Sequence, residues 1–410
     1  MPLAVVDIDG ASNYAHVQPG DVLCLAAGPR ENVKIVNLHG RAGSPITIRN
    51  EGGTVSISGM RLRNGGISVS GSSYLRITGT GVSERCGAQY SPEEQECGIE
   101  IGFANKGIRF DTDPDLVHHI EVDHVYIHDL TTDTNARGIL IHPGEQQLIS
   151  GVYVHHNYLV NTKGEAIYIG SEPRGRPLEV LGKLEDVEVS HNRIERIGYD
   201  GIKIKVAVKN VKVHHNAVYH TGLSQTPAHD AGIQMAFSVG EYYNNYVETA
   251  LEGIAMGRTL DSPGTRYYNN VVVGADRCLV APEYGAQIFH NTVVGCGTAG
   301  ISATGDAAQV FDNIVVGTRG TPVDAEGAQV FANLIGPVTL AQFVDPAARD
   351  FHLRFTSPAI DAGRTDRLVV AVDFDDRPRP YGVRPDMGAY EYREGAAAFV
   401  NDVYLPSTWR

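Results

Sequence analysis

Two lysines, Lys203 and Lys205, stand two positions apart in the phrase DGIKIK. In an extended strand such a pair shares one face, about 6–7 Å apart along the chain. Mutual repulsion lowers at least one of their pKa values, and a lysine with a depressed pKa is suited to take a proton from carbon. Acidic residues open the same phrase and its neighbours: Asp200 here, Glu165 in EAIYIG, and Asp230 before AGIQMA. Calcium favours clustered carboxylate oxygens, so a Ca²⁺ held by Glu165, Asp200 and Asp230 would bind a substrate carboxylate. These parts suit β-elimination on a uronate polysaccharide, in which a base takes the C5 proton and a cation neutralises the adjacent carboxylate. Lys205 or Lys203 would be the base, assisted by Tyr168, His142 or Arg258. Gln234, His229, Glu172, Arg174 and Arg137 would contact the substrate.

The same residues admit two other readings. Glu165 and Asp200 fall in one slot of successive phrases, which predicts about 5 Å between them, the separation of a retaining glycosidase pair. Asp230 or Glu252 is the alternative partner, with the lysines as sugar contacts. In the third reading Tyr168, Gln234 and the inserts hold a glycan without turning it over. Each residue also has a plain alternative. The lysines belong to a solvated stripe with Lys209 and Lys212, the acids bond backbone N–H groups, and His142 is a turn residue before Pro143 and Gly144. The pairs His118–His119, His155–His156 and His214–His215 resemble a metal cluster, but strand alternation would send the two rings of each pair to opposite faces. His124, His156, His191 and His215 are expected to stack on the outside.

What must position these groups is a repeat. The phrases VYVHHNYLV, VEVSHNRIERI, VKVHHNAVYHTG, GEYYNNYVETA, TRYYNNVVVGA, QIFHNTVVGCG, QVFDNIVVGTRG and QVFANLIG place an Asn in one slot, from Asn157 to Asn333, at gaps of 20 to 35 residues. A second strand phrase runs between them: RGILIH, EAIYIG, DGIKIK, AGIQMA, EGIAMG and AGISAT. Alternation with period two, and no helical period, predicts an all-β chain folded as a single right-handed parallel β-helix, a β-solenoid with loop inserts forming a groove. The Asn column is expected at an αL turn position, bonded from coil to coil. Aligning the inward Ile139, Ile167, Ile202, Ile233 and Ile254 gives an outward slot of Leu140, Tyr168, Lys203, Gln234 and Ala255. The next is His142, Gly170, Lys205, Ala236 and Gly257. Inserts at 80–118, 170–182 and 223–229 are expected to wall a groove. The helix with its N-terminal cap is assigned to 1–355, and 356–410 to a C-terminal capping segment and tail.

Composition bounds the rest. With 34 Lys plus Arg against 48 Asp plus Glu, the net charge is −14, which argues against a nucleic-acid partner. A hydrophobic content of 42% supplies a core, and no run approaches the length needed to span a bilayer. The first residues, MPLAVVDIDG, show no signal-peptide pattern. Of five cysteines, Cys86 and Cys97 flank a polar insert that a disulfide would close. Cys278 and Cys296 lie in apolar positions expected of small core residues.

The run EAIYIGSEP followed by DGIKIKVAVKNVKVHHN resembles consecutive coils of the chondroitinase B and alginate lyase type. That resemblance implies Lys205 as the base and Asp200 as a calcium ligand. An Arg–His pair is expected on the next coil, where Ala236 and Phe237 stand instead. A phrase similar to GFKLG in another group of pectate lyases aligns with Lys203. The opening coils, and the closing SPAIDAG…DMGAYEY segment at 356–392, resemble those of secreted and surface bacterial β-helix proteins. They imply a secreted or cell-surface protein whose partner is a polysaccharide or oligosaccharide.

Overall fold

The computed structural model describes residues 5–58, 65–112, 117–131, 135–172, 175–249, 251–258, 264–367 and 370–394. Among them there is no α-helix, and successive strands pair in parallel with the coil before and the coil after. Each coil lays down three short strands. One coil runs Ile167–Gly170, Lys183–Ser190 and Arg193–Ile197, and the next Ile202–Lys205, Ala207–His214 and Ala217–Tyr219. The first strands of all coils make a 12-stranded face, and the second and third make two faces of a 22-stranded sheet. Ile46–Ile57 joins those two faces, pairing at one end with Ser73–Thr78 and at the other with Ile99–Gly102. This is a parallel β-helix.

The inward column follows the period-two reading. Ile139, Ile167, Ile202, Ile233, Ile254, Leu279 and Ile301 are in register across seven coils, and all are fully buried. Stacked branched side chains fill such a core without voids.

The Asn column is also buried, but not as the αL residue. Its members donate both the backbone N–H and Nδ2 to Oδ1 of the Asn one coil on: 3.1 and 3.0 Å from Asn157 to Asn192, and 3.2 and 3.0 Å from Asn216 to Asn245. The residue just before it takes φ near +50°, at His124, His156, His191, His215, Asn244 and Asn269. That twist brings both rings of a His pair to the outside, against the alternation expected of them: Nδ1 of His155 lies 2.9 Å from Nδ1 of His156, and the His214–His215 distance is 2.8 Å. His124, His156, His191 and His215 stack at 4.7–5.3 Å. Burial, then neighbouring rings, pushes His156 down to about 4 and His191 down to about 3, so these two inner rings are neutral at neutral pH. Asn216→Ala should strand the 3.0 Å donor of Asn192 and remove two carbonyl contacts. A loss of about 2–4 kcal/mol in chemical denaturation is expected.

Cys86 and Cys97 form a disulfide, as their spacing suggested. Cys278 and Cys296 are not separate core residues but a second disulfide. Cys278 lies on the strand Arg277–Val280 and Cys296 follows Thr292–Val294, nearly one turn of the solenoid later, which brings their Cα atoms to 5.9 Å, a distance a bridge needs.

Segment 356–394 meets the last coil at Phe331, whose ring lies under Arg364 and Arg367. It runs back along the flank, and its hydrogen bonds reach five successive coils. His215 meets Asp376, Asn244 meets the Asp373 carbonyl, and Asn269 meets the Val372 carbonyl. His290 meets the Asp386 carbonyl, and Asp312 receives the N–H of Arg364. The tail 395–410 lies outside the described residues.

Candidate functional site

The expected chemistry converges on the 12-stranded face. Strand register places Leu140, Tyr168, Lys203, Gln234 and Ala255 in one outward column. Gly170, Lys205 and Ala236 form the next, and His142 is tied to Gly170 by a hydrogen bond. A bulge after Met235 sets Arg258, not Gly257, opposite Ala236. Arg258 therefore joins the Lys205 column by backbone register, although its side chain, like Arg174, lies outside the described residues.

Lys203 is 1% exposed. Its Nζ lies 2.6 Å from Asp200 Oδ2, 3.0 Å from His229 Nδ1 and 3.8 Å from Glu165 Oε1, and it donates to the Ala228 carbonyl at 3.2 Å. Insert 223–230 covers it. A lysine so enclosed is a structural counter-cation rather than a base facing substrate. Glu165 and Asp200 are fully buried, and Arg137 Nε lies 3.1 Å from Glu165 Oε2. Burial raises Glu165, but His229, Arg137 and Lys203 outweigh it, so its pKa falls. Asp200 is pushed up by burial despite Lys203.

The expected calcium set does not fit these positions. Glu165, Asp200 and His229 offer ligand atoms within 4.8 Å of one another, but the Lys203 ammonium already sits among them. Asp230 is not in that group; it neighbours Glu252, whose carboxyl is pushed up by burial and, after Arg277 opposes it, by Asp230. Adding calcium or a chelator should leave the melting temperature unchanged in calorimetry. A rise with calcium would mean that an ion displaces the ammonium.

Tyr168 is not the exposed platform expected of it: it is 1% exposed. Its ring lies under Arg137 at 4.9 Å and Lys205 at 5.6 Å, and burial, then Glu172, pushes its hydroxyl far up. It serves as a floor. Gln234 is also buried and donates to the Ala228 carbonyl at 3.2 Å. His229 is half-buried, its ring 4.7 Å from Tyr199.

Two expected residues remain reachable. Lys205 is half-buried and, among the described residues, makes no hydrogen bond or ion pair. Burial, then Lys203, lowers its pKa. His142 is exposed, with Nδ1 2.9 Å from the Gly170 carbonyl, and burial of its inner edge lowers its pKa. Between them stands Gly170, at φ +132°, where a Cβ would meet the Lys205 carbonyl at 2.1 Å. Gly170 bears no side chain, and this side-chain-free step between His142 and Lys205, beside the Tyr168 ring, is the notch.

Sequence reasoning missed Lys106, which is buried, in register with Arg137, and 2.8 Å from Asn105 Oδ1. The phrase NKGIRF repeats the form of ARGILI and carried that signal. A cleft of about 780 Å³ beside insert 80–98 lies on another face. Its polar groups are engaged with one another, Glu100 with His128 and Ser83 with Glu96.

No family model matches the sequence, and no curated protein matches it. Solved structures do. A GH136 lacto-N-biosidase from Eubacterium ramulus superposes with a TM-score of 0.51 at 15% identity, over 82% of this chain and 68% of that one. A pectate lyase matches at 0.45 and 13%, over 96% and 97%. A PL6 family alginate lyase matches at 0.46 and 14%, over 81% of this chain, which spans 51% of that enzyme. At these identities the likeness establishes the fold.

Proposed function

We propose that the chain is an extracellular polysaccharide-processing enzyme that cleaves an acidic, uronate-containing glycan by β-elimination. The observation that carries this reading is the Lys205 ammonium, left without an ionic partner beside an exposed histidine and a glycine notch. Every other cation described in this patch is neutralised: Lys203 by Asp200, and Arg137 by Glu165. A cation without an ionic partner among the described residues attracts a carboxylate, and a neighbouring imidazole supplies the second proton-transfer group that elimination requires. Among similar solved structures are lyases and a glycosidase, which supports a polysaccharide as substrate. Two disulfides suit an oxidising, extracellular setting.

Hydrolysis by Glu165 and Asp200 is the second reading, favoured by ligand atoms within 4.8 Å, the spacing of a retaining pair. Both carboxylates are fully buried and charge-paired, however, and a nucleophile must reach the anomeric carbon. The test is a screen on alginate, chondroitin and dermatan sulfates, hyaluronan, pectate and neutral glycans, following ultraviolet absorbance and reducing ends together. An unsaturated, absorbing product is expected. Reducing ends without absorbance would transfer the assignment to the carboxylates, and binding without either signal would leave a glycan-binding module.

A further inference from the structure

The pair flanking the notch has a direction. We propose that His142 is the general base of this site, and that Lys205 is the acid that protonates the departing oxygen; this rests on the elimination reading above. The hydrogen bond from His142 decides it. The Gly170 carbonyl, 2.9 Å from Nδ1, can only accept, so the neutral ring carries its hydrogen on Nδ1 and its lone pair on Nε2. Nε2 makes no hydrogen bond or ion pair among the described residues, and the residue is exposed. A neutral imidazole held in that tautomer offers a base and no acid. Lys205 is complementary, with three N–H donors and no acceptor while charged. The two side chains stand one position to either side of Gly170 in one outward column, about 9–10 Å apart at Cα, with the notch between them.

The proton bookkeeping closes. His142 Nε2 takes the C5 proton, and the C5–H electron pair becomes the C4–C5 double bond. The C4–O bond breaks, and the released oxygen takes a proton from the Lys205 ammonium. The site is left with an imidazolium and an amine, which exchange with solvent restores.

The groups that face each partner are few. Glu172 raises the pKa of His142, while Arg137 and Arg176 lower it, and the Tyr168 ring lies 6.5 Å away. Lys205 faces Lys203, which opposes its charge, and Glu172, Glu165 and Asp200, which favour it. Burial is the largest cause at both: it brings His142 below the ordinary imidazole value of about 6.5, and with Lys203 it lowers Lys205 against the three carboxylates.

Two measurements on the intact protein test this. In long-range proton–nitrogen spectra of ¹⁵N-histidine-labelled protein, the signals lost in His142→Gln should show a protonated Nδ1 and a bare Nε2 at neutral pH. On the glycan that the screen identifies, kcat/KM should be bell-shaped. Its acid limb should lie below about pH 6.5 and its alkaline limb should vanish in Lys205→Arg. His142→Gln should lower kcat by about 10²-fold or more with no change in melting temperature. A proton on Nε2 would overturn the assignment. So would a rate that rises only into the alkaline range and keeps that shape in His142→Gln, which would make Lys205 the base. If no acidic glycan gives an absorbing product, the elimination reading fails and the base assignment falls with it, even where the spectra show the expected tautomer.

Discussion

Lys205→Ala is expected to reduce turnover of the acidic glycan by about 10²–10⁴-fold while the protein melts where the wild type does. The fold should tolerate the change because Lys205 is half-buried and, among the described residues, has no ionic partner to strand; substitutions of that kind stay within about 0.5 kcal/mol. Lys205→Arg separates two contributions. A guanidinium keeps the charge but does not release its proton near neutral pH, so KM should stay close to that of the wild type while kcat remains low. The neighbouring lysine behaves oppositely. Lys203→Met leaves Asp200 and Glu165 buried without their ammonium, and a charge stranded this way destabilises by about 3–5 kcal/mol. Activity and melting temperature measured on the three variants therefore distinguish a working cation from a structural one. If Lys205→Ala retained full turnover, the notch would not be the reaction centre.

Arg379→Leu should release the flanking segment. Arg379 lies 2.9 Å from Glu391 and bonds the Asn269 side chain at 3.1 Å and the Gly388 carbonyl at 3.0 Å. Asp373 and Asp386 stand close enough to oppose the fall in its pKa that burial causes. Without it, Glu391 is left inside without its cation. Asp386, already pushed up to about 7 by burial and then by Glu391, loses a compensating charge. The expected loss is about 3–5 kcal/mol, read by chemical denaturation, with new proteolytic cuts confined to 356–394. Cuts at the wild-type rate would show that the apolar contacts of Phe374, Ala389 and Tyr390 hold the segment alone.

The fold was legible because period-two alternation survives coil after coil. The isoleucine column from Ile139 to Ile254 needed only the repeat to align it, and the stacking of His156, His191 and His215 followed from the same slot. What was not legible depends on neighbours remote in sequence. Lys203 has the same pattern as Lys205, but the insert carrying Ala228 and His229 folds over one and leaves the other open. Tyr168 is an outward residue by alternation, yet Arg137 and Lys205 cover its ring. Arg258 needed a bulge, which pattern alone does not reveal. Cys278 and Cys296 needed the distance between coils, and the αL position fell one residue before Asn because a buried amide was required at Asn itself.

In a solenoid each coil touches only its neighbours, so stability is close to a nearest-neighbour sum and the ends fray independently. The flanking segment breaks that rule. By tying His215, Asn244, Asn269, His290 and Asp312 to one strip of chain, it splints five coils into a unit that must melt together. The first tied coil is the one that carries Lys205. Fraying that starts at the C-terminal edge must therefore detach the splint before it reaches the notch. Fraying from the N-terminal side meets a shorter tie, the insert at 80–98, whose Ala88 N–H bonds the His191 carbonyl and which must detach before the fraying reaches His142.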